Sequence, residues 1–189
     1  SSMARRFPCP IHQKISKPPP QHKQQAPGVG FPIARIAAVF SLATATVLDL
    51  GICRYQGKGQ SELGLLRLLR HVFQAGDIML ADRYLCSWHE LALLQQQGAD
   101  FVARLHQARK FDFRKGKRLG PNDHIVCWDK PRCPEWMDQA TWESLPDELV
   151  VREIRVSLEI PGFRTIKLVV ALDAEEFSHD DLAELYHAR

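Results

Sequence analysis

The sequence predicts an α/β fold: a mixed sheet with flanking helices and a β-rich insertion. Three observations carry this. Between about residues 31 and 105, strand-like apolar runs alternate with stretches of helical periodicity. One of those runs, Ile78-Met-Leu-Ala81, is short, apolar without alternation, and followed at once by a carboxylate. From about 106 to 172, helical periodicity gives way to alternation punctuated by Pro and Gly. A chain of 189 residues, 45% hydrophobic, is long enough to bury such a core.

Taken in order, residues 1–30 hold six of the twelve prolines, including Pro18-Pro19-Pro20, and are read as an extended Pro/Gln-rich arm. Residues 31–55 are rich in Ile, Val, Leu, Ala and Thr with a polar interruption at 41–46, which predicts a two-stranded hairpin. After the loop at 57–61, Ser61 is placed to cap a helix running to about Phe73, with Leu65, Leu66, Leu69, Val72 and Phe73 at helical spacing. The Gly57-Lys-Gly of that loop lacks the spacing of a phosphate-binding loop. Residues 78–81 predict a strand buried on both faces. Residues 88–97 predict a helix closed by Gly98, and 100–105 another short strand. Further strands are predicted at 124–128, 149–158 and 165–172. In the second of these, Arg152, Glu153, Arg155 and Ser157 interleave with Val151, Ile154, Val156 and Leu158 as on a half-exposed strand. Ser178 is placed to cap a last helix with Leu182, Leu185 and Tyr186 on its apolar face. The domains read as 1–30 arm, 31–105 core part, 106–172 β-rich insertion, and 173–189 the start of the core's last helix.

Bulk properties narrow the function classes. No apolar run approaches the ~20 residues of a membrane span, and no secretory leader is evident, which predicts a cytoplasmic protein without membrane partners. The five cysteines, at 9, 53, 86, 127 and 133, lack zinc or disulfide-scaffold spacing and are expected to be reduced. The net charge of +3 is uneven: residues 1–48 carry six Lys or Arg and no acid, leaving 19 basic against 22 acidic residues beyond. Only local clustering can therefore argue for nucleic acid.

Two clusters bear chemistry. Asp82 follows a predicted strand at its carboxyl end, where open α/β sheets present functional groups, and a carboxylate there is suited to Mg²⁺. The stretch 104–118 carries Arg104, Arg109, Lys110, Arg114, Lys115, Lys117 and Arg118 against one acid, with Phe111 and Phe113 between them. That is the composition of a surface that tracks a phosphate backbone.

Several segments, in order, resemble DDE insertion-sequence transposases of the group with a β insertion and a Tyr-Arg-Glu-Lys signature. They are Pro27-Gly-Val-Gly-Phe-Pro-Ile-Ala-Arg35, Gly57-Lys-Gly-Gln-Ser-Glu62, Gly76-Asp-Ile-Met-Leu-Ala-Asp-Arg83, Asp112-Phe-Arg-Lys-Gly-Lys-Arg-Leu-Gly120, Trp128-Asp-Lys-Pro131, Leu149-Val-Val-Arg-Glu-Ile-Arg155, Pro161-Gly-Phe-Arg164 and Leu182-Ala-Glu-Leu-Tyr186. The resemblance covers roughly residues 24–189. It implies an RNase H-like fold in which two Mg²⁺ (or Mn²⁺) ions, held by Asp, Asp and Glu, drive in-line attack on a DNA phosphodiester. Asp82 matches the family's second aspartate, as catalytic and metal-binding residue.

The resemblance also implies what this chain lacks. The family's first aspartate precedes the Gln- and Pro-rich stretch, yet no Asp or Glu precedes Asp49 here, and Asp49 aligns with the third strand instead. Of the Tyr-x2-Arg-x3-Glu-x6-Lys helix only Tyr186 and Arg189 are present, the latter a DNA-contact candidate. Glu62, Glu153 and Glu184 do not occupy the glutamate's position. The expectation is an internal fragment, truncated at both ends, that is catalytically inactive and holds metal weakly or not at all. Three readings stay open: a recombinase fragment whose full-length form acts on element ends, a DNA-binding remnant able to join a dimer with intact transposase, and a pseudogene product without function.

Overall fold

The computed structural model describes residues 33–55, 57, 60–106, 108–110, 112–157 and 165–188. The Pro-rich arm at 1–30 and Arg189 lie outside them. The chain divides into two compact units, Ser1–Leu69 and Arg70–Arg189.

In the first unit, strands β1 (Ala34–Ser41) and β2 (Thr46–Arg54) pair antiparallel around a turn at 42–45, with a register shift between Val39 and Phe40. Helix α1 (Glu62–Leu69) covers one face. Ser61 Oγ accepts from the Gly64 amide at 3.0 Å, as its position predicts. Gly51 lets the helix approach: a Cβ there would meet Leu65 Cδ2 at 3.1 Å. The helix stops at Leu69, short of the Phe73 expected, and tightens into a 3₁₀ turn at Arg70–Val72, a common ending for an α-helix. The other hairpin face carries Ile36, Leu50 and Ile52, all exposed.

In the second unit, β3 (Ile78–Ala81), helix α2 (Trp88–Gln96) and β4 (Asp100–Arg104) form a parallel crossover. Four more strands follow: β5 (Lys117–Gly120), β6 (Asp123–Asp129), β7 (Glu148–Val156) and β8 (Ile166–Val170), with the short helix α3 (Gln139–Ser144) before β7. The six strands make one mixed sheet in the order β3-β4-β8-β7-β6-β5, antiparallel except for β3 with β4. The α/β class and the mixed sheet are therefore present. Its members differ from the expected ones: the hairpin makes a separate two-stranded sheet, and the strands of the 106–172 stretch continue the sheet of β3 and β4 through the β4–β8 pairing.

Helix α4 (His179–His187) opens with a capping box. Ser178 Oγ accepts from the Asp181 amide at 3.2 Å, and Asp181 Oδ2 accepts from the Ser178 amide at 2.8 Å. Leu182 of this helix is fully buried in a cluster with Val102, Ile154, Val156, Ile166, Leu168 and Val170. This alternate-residue set from β7 and β8 is one face of the sheet.

Two strand expectations need correction. β3 is buried on one face, through Met79 and Ala81, and only in part on the other, where Leu80 packs half-buried against the Leu182 cluster while Ile78 is exposed; it is also the terminal strand of the sheet. An unbroken apolar run of four residues does not say how many neighbours a strand has. β7 is not half-exposed either, because Arg152 and Glu153, each 5% exposed, are both interior. Alternation of polar and apolar residues cannot separate a solvated face from one whose charges meet buried partners.

Candidate metal and nucleic-acid site

Asp82 follows β3 directly and caps the 3₁₀ turn Arg83–Leu85, its Oδ1 accepting from the Arg83 amide at 2.8 Å. The short carboxylate suits this place because the first amides of a helical turn lack backbone acceptors. The side chain is exposed. Next to it, the Tyr186 hydroxyl of α4 donates a long bond, 3.5 Å, to the Ala81 carbonyl. The beginning of the sequence's Tyr-x2-Arg motif thus meets the strand end that carries Asp82.

Among the described residues, no three His, Cys, Asp or Glu side chains come together as a possible metal site. The other carboxylates weighed in the sequence have separate duties. Asp49 Oδ1 accepts from the Leu50 amide at 2.7 Å, Glu62 lies 3.6 Å from Arg35, Glu184 is exposed on α4, and Glu153 is buried.

The basic stretch does not present all its cations together. Arg104 ends β4 half-buried. Arg109 turns onto Trp128, its Cζ 3.8 Å from the ring centroid, and burial pulls its guanidinium below the ordinary value. Arg114 forks onto Asp112, with Nε–Oδ1 at 2.8 Å and Nη2–Oδ2 at 3.1 Å. Those bonds bring the half-buried Asp112 carboxyl down to about 2. Lys110, Arg114, Lys115, Lys117 and Arg118 are exposed. Lys117 and Arg118 are successive residues of β5, so they leave opposite faces of the strand, and Arg118 Nε donates to the Gly120 carbonyl at 3.2 Å.

Sequence reasoning missed what lies under this loop. Glu153 of β7 accepts from Trp128 Nε1 at 2.8 Å through Oε1 and faces His124 Nε2 at 3.0 Å through Oε2. His124 Nδ1 in turn donates to the Lys115 carbonyl at 2.8 Å, and the Phe113 ring sits 4.6 Å from the imidazole, centroid to centroid. His124 and Glu153 are direct cross-strand partners, a register the sequence does not announce. The available signal was weak: His124, Val126 and Trp128 share one face of β6. Cys86 lies close enough to Arg109 and Glu153 to feel both charges, and its burial pushes the thiol up to about 11. A neutral, buried thiol is a packing group rather than a nucleophile. Among the described residues, no helix is long and apolar enough to cross a membrane. A scan against protein-family models gives no match to this chain, and a search of curated proteins gives none.

Proposed function

We propose that this chain is a segment of a DDE transposase with an RNase H-like core, and that by itself it contacts DNA without cutting it. The motifs from about residue 24 to 189, in family order, support the assignment. The observation that carries it is the bond between Tyr186 and the Ala81 carbonyl, across 105 positions of sequence. By the resemblance, the helix that bears this tyrosine carries the catalytic glutamate in its Tyr-x2-Arg-x3-Glu-x6-Lys pattern and Asp82 matches the second aspartate, so the contact joins the two segments that would share the metal ions.

In the full family, the metal pair activates the attacking oxygen and stabilises the leaving one. The residues described here do not fit such a pair. Mg²⁺ demands near-octahedral oxygen ligation, and Asp82 belongs to no group of three potential ligands among them. What this chain's residues supply is positioning: Asp82 is held by its own cap, and Lys110, Arg114, Lys115, Lys117 and Arg118 offer charge to phosphates.

The test is a strand-nicking and strand-transfer assay on duplex DNA with Mg²⁺ or Mn²⁺. No turnover above background is expected from this chain, with or without Asp82→Ala. Turnover that Asp82→Ala abolishes would overturn the non-catalytic reading.

A further inference from the structure

We infer that the buried Glu153–His124 pair positions the basic loop, and so sets how tightly that loop holds a nucleic-acid backbone. This rests on the DNA-contact reading above. The loop is fastened to one polar network at successive points. Arg109 stacks on Trp128, whose indole donates to Glu153. Phe113 lies against the His124 ring and also receives the Arg155 guanidinium, 5.2 Å from its centroid. The Lys115 carbonyl accepts from His124 Nδ1.

The geometry gives His124 a directional task. A carbonyl and a carboxylate only accept, so both ring nitrogens donate, Nδ1 to Lys115 and Nε2 to Glu153. His124 is 1% exposed and Glu153 5%, so solvent does not compete for either bond. The carboxylate thus orients a ring, and the ring holds the backbone of a residue whose own side chain and neighbours, Arg114 and Lys117, are exposed cations. An exposed basic loop without such an anchor would have to be ordered on binding, at a cost in affinity. His124 and Glu153 touch no phosphate themselves and act through Lys115.

Gly116 offers a second handle that leaves the pair intact. It sits at φ +73°, and a Cβ there would run into the Ile125 carbonyl oxygen, so Gly116→Ala must displace the loop.

The experiment measures binding of a fluorescein-labelled 20-base-pair duplex at low salt, alongside amide hydrogen exchange. His124→Gln, which removes the donor to Lys115, and Gly116→Ala should each weaken binding about three- to tenfold, the scale of one or two phosphates left without a cation. Each should speed exchange at 112–116 while the β7 and β8 amides stay protected. His124→Asn, whose amide reaches the Nδ1 position, should stay within about twofold of the unaltered protein, because it keeps the bond to Lys115. Affinity unchanged in both His124→Gln and Gly116→Ala, with the loop loosened, would overturn the inference and leave the DNA reading standing. No binding by the unaltered protein would overturn both. If His124→Gln loses protection throughout the sheet, Gly116→Ala decides: weakened binding supports the inference, and unchanged binding ends it.

Discussion

Arg152 shows how much a single interior charge can decide. Its guanidinium meets Asp123 in a fork, with Nε–Oδ1 at 2.9 Å and Nη2–Oδ2 at 2.6 Å, and its Nη1 donates to the Phe177 carbonyl at 2.6 Å. Both partners are buried, so removing one strands the other. Arg152→Met is expected to cost about 3 to 5 kcal/mol, because Asp123 would keep a charge with neither solvent nor partner. Urea unfolding of the variant measures this, and a loss below about 1 kcal/mol would mean that water or a rearranged neighbour serves Asp123 equally well. Asp82 lies at the opposite extreme, exposed and bonded to its own turn. Its place at a strand end was legible because the apolar run before it is too short for a helix and is bounded by a turn at Gly76-Asp77 and the carboxylate itself. The Glu153–His124–Trp128 network was not legible, since it depends on cross-strand register between residues 25 and 29 positions apart. A single strand read by itself makes Glu153 a surface residue.

At the scale of elements, the helices were the most readable parts because their starts carry chemistry of their own. Ser61 and Ser178 both cap as their positions suggest, and Gly98, at φ +82°, follows α2 where a left-handed residue is needed to leave the helix. For α4 the cap is reciprocal and the helix delivers Leu182 to the core, so Ser178→Ala should destabilise the second unit by about 1 kcal/mol. A thermal melt lowered by a few degrees would agree with that, and an unchanged melt would show that packing of Leu182 alone holds the helix. Strands were read less well. Local pattern placed β1, β2, β4, β6, β7 and β8 within a few residues, yet it did not say that β3 ends the sheet or that β7 is interior. Both properties belong to neighbours rather than to the strand.

At the scale of the whole molecule, pairing between distant segments governs the architecture. β8 comes from the stretch read as an insertion, but it lies between β4 and β7 and joins both into one sheet. The hairpin closes locally through its own turn, pairs with itself and packs one face on α1, which makes it a separate compact unit. Charge follows the same logic. A chain with a net charge of only +3 gives no global reason to bind DNA, so the proposal of DNA contact rests on local clustering, here the five exposed cations of the 110–118 region. The most direct measurement is therefore the affinity for duplex DNA across a range of salt concentrations, for the unaltered chain and for one with Arg114, Lys115, Lys117 and Arg118 all replaced by Ala. Binding should weaken linearly in a plot of log affinity against log salt, and the fourfold replacement should flatten that slope by about 2 units, near one for each phosphate no longer neutralised, because Lys117 and Arg118 leave opposite faces of β5 and Arg114 is already paired with Asp112. Absence of binding at low salt, or a slope the replacements leave unchanged, would contradict DNA contact by this surface.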